Sequence, residues 1–186
     1  GTGLGDNAGD YLTIYNNTIM GCTYGIYFDD GKTITHRYNI ISMNYINFNQ
    51  YGIWCEINNY WLTIEGNIVS NNFQYGIFLD DPESSVIDSN TVCENNMDGI
   101  NINKAFYVNI TDNTLLNNSG SGINIVINSQ FCNIIGNTAD YNNNHGIIIG
   151  MGGDNNITDN SVNYNSVGIF FDHSSIVKNN IVNNNT

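Results

Sequence analysis

The dipeptide Gly-Ile returns along this 186-residue chain at Gly25, Gly52, Gly76, Gly99, Gly122, Gly146 and Gly168, at intervals of 27, 24, 23, 23, 24 and 22 residues. A sustained interval of this size marks a chain built from stacked units, each burying a face against its neighbours. A second marker, Asn followed two residues later by an aliphatic, keeps the same beat at Asn17, Asn39, Asn67, Asn90, Asn113, Asn137, Asn160 and Asn180. Three residues before each of these lie Ile14, His36, Ile64, Ile87, Ile110, Ile134, Ile157 and Val177, a line broken only by His36.

Within a unit, apolar and polar residues alternate, as in Ile100-Asn101-Ile102 and Ile123-Asn124-Ile125. That is the period of a strand, whose successive side chains point to opposite faces. A unit of roughly 23 residues holds about three short strands and no crossover helix, so neighbouring units can pair in parallel only by coiling. The expected fold is therefore all-β, a single-stranded right-handed parallel β-helix (solenoid) of about eight coils. Residues 1–186 read as one domain with both ends mid-coil and uncapped.

The columns of this solenoid follow from the alignment. Ile26, Ile53, Ile77, Ile100, Ile123, Ile147 and Ile169 form one inward line, and Phe28, Cys55, Leu79, Ile102, Ile125, Ile149 and Phe171 a second. Five residues after each marker Asn stands another Asn, at Asn44, Asn72, Asn95, Asn118, Asn142, Asn165 and Asn185, with Cys22 in that place in the first unit. Asn occurs 38 times while charged residues make up 11% of the chain and Pro occurs once, which is not the composition of a disordered polar segment. A side-chain amide carries both donors and an acceptor, so identical Asn stacked at the strand spacing can bond to one another and to turn backbone. Asn also tolerates the left-handed conformation of tight corners. The Asn excess is read as two structural ladders at the turns.

These units resemble the NosD-like parallel β-helix repeat proteins, whose coils read close to N-T-I-x-x-N-x-x-G-I-x-[LIF]. The match is carried by DNTLLNNSGSGINIV (112–126), SNTVCENNMDGINI (89–102) and DNSVNYNSVGIFF (159–171), and extends over essentially the whole chain. The resemblance implies the fold, and spans surface proteins, sugar-binding modules and polysaccharide-active enzymes. Its name is tied to copper-enzyme maturation, but His36, His145 and His173 fall in separate units and no metal site is carried over.

Three strings, TYGIYFDD (23–30), QYGIWCEI (50–57) and QYGIFLDD (74–81), set the first Gly-Ile units apart. Their outward positions read Tyr24, Tyr27 and Asp29, then Tyr51, Trp54 and Glu56, then Tyr75, Phe78 and Asp80. An aromatic ladder thus runs beside a carboxylate ladder, while later units carry mostly Asn and aliphatics there. A strip of this kind suits carbohydrate, with rings stacking on sugars and carboxylates accepting hydroxyl hydrogen bonds, or a protein contact. It can also be covered by an insertion between Asn39 and Gly52, which are 13 residues apart instead of the usual 9, through Tyr45, Ile46 and Phe48.

No catalytic set is assigned. The Asp, Asp-Asp, His-Gly and Arg-x-Lys of β-helix polygalacturonases find partial echoes in Asp29-Asp30, Asp80-Asp81 and His145-Gly146. His145 lies three units beyond Asp80, however, about 14 Å at the strand spacing, and no Arg-x-Lys occurs. Lys104, expected beside Asp80, is the one candidate cation for lyase or epimerase chemistry. Asp172-His173 reads as a solvated turn and His36 as a hydrogen-bonded core residue.

A net charge of −13 with only Lys32, Arg37, Lys104 and Lys178 as fixed cations speaks against nucleic acid and anionic membranes. No apolar run approaches the roughly 20 residues of a membrane span. No cofactor is expected, calcium being the one ion that the Gly- and Asp-rich segments 1–7 (GTGLGDN) and 150–155 (GMGGDN) would suit. Sequons at Asn16, Asn109, Asn117, Asn156 and Asn184 are possible glycosylation sites. Cys22, Cys55, Cys93 and Cys132 fall in four columns, so no disulfide is expected, with Cys55 and Cys132 as buried thiols.

The ends carry a further pattern. Gly3-Leu4 reads as another Gly-Ile site, and Gly3 of a following copy would fall nine residues beyond Asn180, the commonest spacing. Head-to-tail stacking of copies into a homopolymer fits this arithmetic, because a heterologous contact that does not close generates a filament. Two functions are therefore carried forward. The first is an extracellular structural solenoid of a cell surface or filament, and the second a carbohydrate-binding or polysaccharide-active solenoid using the aromatic strip.

Overall fold

A computed structural model describes residues 1–6, 9–29 and 36–186. Asn7, Asp30 and Lys32 lie outside the described residues. Three parallel sheets of eight strands each wrap one core, and each coil contributes one strand to every sheet. Coil 1 holds Thr2–Asp6, Thr13–Tyr15 and Thr18–Met20, and coil 8 holds Val167–Phe171, Ser175–Lys178 and Ile181–Asn183. Most strands are three to five residues long because each must turn a corner before the next sheet begins. This is the parallel β-solenoid of about eight coils that the repeat implies.

The inward columns stack in the expected register. In the first sheet Leu4 pairs with Ile26 and Ile26 with Ile53, and the line continues through Ile77, Ile100, Ile123 and Ile147 to Ile169. Phe28, Cys55, Leu79, Ile102, Ile125 and Ile149 are fully buried in the next column. All four cysteines are free. Burial raises the Cys55 thiol well above its ordinary range and pushes Cys132 up to about 11, so both are inert core atoms.

Coil 2 corrects the alignment. The first Asn ladder runs Asn17, Asn44, Asn67, Asn90, Asn113, Asn137, Asn160, Asn180, each backbone N–H donating to the next side-chain oxygen at 2.9–3.0 Å. Asn44, not Asn39, holds the coil 2 place. The second ladder runs from the Cys22 N–H through Asn49, Asn72, Asn95, Asn118, Asn142 and Asn165 to Asn185, so Asn49 stands where Asn44 was expected. Asn39 caps a different corner, accepting from Leu12 N–H at 2.8 Å and donating to the Gly9 carbonyl. The inward line before the first ladder then reads Ile14, Ile41, Ile64 without a break. His36 sits outside that column, paired with Asn59 and stacked on Phe28 at 5.4 Å, with Nε2 2.7 Å from the Asp29 carbonyl. It is buried and hydrogen-bonded, as expected, but in another place.

The corners also correct the role of Asn. Left-handed backbone falls on the residue before each ladder Asn, at Asn16, Met43, Ser89, Asp112, Asp159 and Asn179 in the first ladder, with Gly66 and Gly136 completing it. The ladder Asn itself supplies hydrogen bonds rather than the unusual dihedral.

Candidate functional site

The strip is assembled by the pleat of the first sheet. With Ile26 and Phe28 turned inward, Tyr27 must point out, and pairing of Tyr27 with Trp54 and of Trp54 with Phe78 stacks the outward residues coil on coil. Trp54 and Phe78 lie 4.0 Å apart and nearly parallel. Tyr24 stacks on Tyr51 at 5.0 Å and on Tyr27 at 4.5 Å, while Trp54 meets Tyr51 edge-on at 4.6 Å. Tyr75 closes the group against Phe78 at 5.5 Å. All six rings are half-buried, as are Asp29, Glu56 and Asp80 along their edge.

Burial keeps the hydroxyls of Tyr24, Tyr27 and Tyr75 protonated. Burial, then a 2.9 Å hydrogen bond to Glu56 Oε1, raises Tyr27 far above the usual phenol range. Burial also raises Tyr24, with Tyr51 and Glu56 adding to it, and raises Tyr75 with help from Asp98. Tyr45, Ile46 and Phe48 do not cover these rings. Tyr45–Asn47 is a strand of the third sheet, with Ile46 in the core and Phe48 exposed at its corner. The extra length of coil 2 lies instead between Phe28 and His36, where residues 30–35 are outside the described residues.

Beyond Phe78 the same face becomes polar. Asp98 occupies the position of Tyr24, Tyr51 and Tyr75, and is buried. It accepts hydrogen bonds from Asn101 Nδ2 at 2.7 Å, Ser121 N–H at 2.6 Å and Asn124 Nδ2 at 2.9 Å. His145 follows two coils on, edge-on to Phe170 at 5.8 Å. Burial lowers its pKa and the charge of Asp98 opposes the shift only in part, so the ring is neutral at pH 7. Trp54 Nε1, Asn124 Oδ1 and His145 Nδ1 are buried on this face with no protein hydrogen-bond partner. Lys104 Nζ stands 3.9 Å from Asp80, as expected. Asp172 and His173 lie 3.8 Å apart in an exposed turn.

Sequence reading passed over Asp98 and a second set of stacked rings. Tyr11, Tyr38 and Trp61 stack at 5.1 and 4.9 Å on left-handed corner positions, and Tyr107 stacks on Phe131 and Tyr141 on Tyr164 likewise. The 27- and 23-residue intervals from Tyr11 to Tyr38 to Trp61 carried the signal, which the misplaced coil 2 register hid. Among the sequons Asn16, Asn117 and Asn184 are exposed at corners, whereas Asn109 accepts from Asn133 Nδ2 at 2.8 Å and Asn156 donates to Asn133 Oδ1 at 3.4 Å.

A family model described as periplasmic copper-binding protein (NosD) matches residues 2–130 and 62–186. No curated protein matches the chain. Among solved structures, the Azotobacter vinelandii mannuronan C-5 epimerase AlgE4 A-module superposes with TM-score 0.85 at 16% identity, covering 96% of this chain and 53% of that one. The periplasmic alginate epimerase AlgG gives TM-score 0.85 at 18% identity over 97% of this chain and 47% of that one. Pectate lyase Pel9A gives 0.61 at 14% identity over 92% and 55%. At these identities the superpositions show a shared fold alone, and the chain spans about half the length of each of these proteins. The described residues offer no fitting donor set for the copper of the family description. Among the described residues no three His, Cys, Asp or Glu side chains converge, and Cys55 and Cys132 point into the core.

Proposed function

The chain belongs to the NosD family, and on that premise we propose that it is a carbohydrate-binding β-solenoid acting outside the cytoplasm, with Tyr24, Tyr27, Tyr51, Trp54, Tyr75 and Phe78 as its sugar platform. One observation carries this reading: six half-buried rings form a continuous strip edged by Asp29, Glu56 and Asp80. Aromatic surface offers apolar area to the C–H faces of pyranose rings, and carboxylates and protonated tyrosine hydroxyls hydrogen-bond sugar hydroxyls. The strip runs along the solenoid axis, so a linear glycan can lie across successive coils. Polysaccharide-acting fold neighbours and the word periplasmic in the family description support the ligand class and the location. Affinity electrophoresis through gels containing soluble polysaccharides tests the reading. Trp54→Ala should weaken retention about tenfold, the loss expected when a central aromatic anchor is truncated. Unchanged retention of that variant, or no retention of the parent in any gel, overturns it.

A further inference from the structure

The left-handed corner that carries Tyr11, Tyr38 and Trp61 runs on through Ser84 to Tyr107 and Phe131. Cross-coil hydrogen bonds keep these residues in one column: Tyr38 N–H donates to the Tyr60 carbonyl, Trp61 N–H to that of Glu83 and Ser84 N–H to that of Phe106, at 2.9–3.1 Å. Ser84 is the one member of these six that is not a ring. On one side of it Trp61 rests a face on Tyr38, 4.9 Å away and 9° from parallel, and on the other Tyr107 rests a face on Phe131, 5.1 Å away and 17° from parallel. Their free faces are turned toward each other along the solenoid axis, two coil steps or about 9.6 Å apart. The adjoining column repeats the pattern, with Glu83 bridged to Tyr60 on one side and to Phe106 on the other. Coil 4 thus carries a notch walled by Trp61 and Tyr107 and floored by Ser84 and Glu83. Its walls are 44% and 50% exposed, so it opens to solvent. We infer that this notch is a second glycan site, which takes a single pyranose ring at a chain end or branch, edge-first between Trp61 and Tyr107.

The width of the notch selects its occupant. One coil step sets a ring-to-ring distance of about 5 Å in this column, so two steps leave room for one further ring. A pyranose chair is thicker than a flat aromatic ring and fills that interval with a C–H face against each wall. Its hydroxyls project from the ring edge, where the Glu83 carboxylate accepts and the Ser84 hydroxyl both donates and accepts. An apolar occupant would instead strip water from both floor groups and give nothing back. The walls stand across the axis, so a polymer laid along the axis cannot pass between them, and the ring has to enter from the side. The first-sheet strip has the opposite character, with its rings open along the axis to the length of a chain. The notch shares no residue with that strip, and its ligand reading is independent of it.

The two tryptophans make the test residue-specific. In a proton–nitrogen correlation spectrum of the whole chain, the indole signal lost in Trp61→Phe is that of Trp61, and the other reports Trp54 in the strip. Titration with the methyl glycosides of glucose, galactose and mannose should shift the Trp61 signal saturably with at least one of them. Ser84→Tyr completes the ring column at a φ of 52°, a conformation that Tyr38 and Tyr107 already hold at 56° and 55°. That variant should fold and lose the Trp61 shift, while any response of Trp54 stays as in the parent. Tyr107→Ala should weaken the Trp61 response about tenfold. No saturable shift of Trp61 with any of the three glycosides overturns the inference, as does a shift that persists unchanged in folded Ser84→Tyr. A Trp61 response to tetramethylammonium and to none of the sugars also overturns it, and assigns the notch to organic cations held against the rings. Where Ser84→Tyr does not fold, Tyr107→Ala decides, and undiminished affinity in that variant overturns the inference. The Trp54 signal and gel retention report the strip separately, so failure at either site leaves the reading of the other standing.

Discussion

Asn113 shows what a single residue does in this molecule. Its Nδ2 donates to Ile87 O at 2.8 Å, Thr111 O at 2.9 Å and Asn137 Oδ1 at 3.0 Å, and its Oδ1 accepts from the N–H and Nδ2 of Asn90 at 2.9 Å. Replacing it by Ala leaves several of these buried partners unpaired, at about 1–3 kcal/mol for each group that water cannot reach. Asn113→Ala should therefore cost about 3–5 kcal/mol, read as a lower urea midpoint with an unchanged slope. Asn39→Ala should cost clearly less, because Asn39 serves Leu12 N–H and the Gly9 carbonyl at the edge of the stack. Equal costs would restore Asn39 to the main ladder. The sequence made the ladders visible through the chemistry of the amide and its interval. It misled at coil 2 because Asn39-Ile40-Ile41 and Asn44-Tyr45-Ile46 satisfy the same local pattern, and only hydrogen bonding across coils separates them. Ile41, three residues before Asn44, was the discriminating residue, since choosing it keeps the isoleucine column whole.

At the scale of the strand, the recurrent Gly before Ile is a matter of space and not of backbone freedom. A Cβ on Gly99 would lie 2.8 Å from the Gly122 carbonyl oxygen, 2.9 Å from Asn118 Nδ2 and 3.2 Å from Leu115 Cδ2. The nearest of these is backbone of the next coil, which cannot swing aside, and the second belongs to the Asn ladder. Gly99→Ala should destabilise by about 1–3 kcal/mol through overpacking, measurable by thermal or urea unfolding, and one coil's strain should lower the cooperativity of its neighbours. Gly120→Ala offers a contrasting clash, against Asp98 Oδ1, and should act on the polar half of the face. The strands were legible because their alternation and their interval agree. The strip's rings and acids were legible too, but not Asp98, whose role comes from donors on three positions that only the fold brings together. The left-handed corners were legible only as turns. That Tyr, Trp and Phe occupy them, stacked and outward, depends on the cross-coil register that the sequence left open.

For the molecule as a whole, core columns, Asn ladders and outer face all advance by one step per turn, so each coil meets only its two neighbours and stability is close to a sum over coils and their interfaces. Removing residues 137–159, one 23-residue turn, would join Gly136 to Asn160 and leave every column continuous. The shortened chain should fold, unfold with a smaller urea slope in proportion to the surface lost, and bind through Trp54 as before, since the strip lies in coils 2 to 4. Removal of half a turn should abolish folding, because it brings Asn ladders against inward isoleucines. The two ladders thus do more than close the corners. They graduate the molecule like a ruler, in divisions of about 4.8 Å, along which reach can lengthen or shorten by whole marks while the chemistry at any one mark stays as it was.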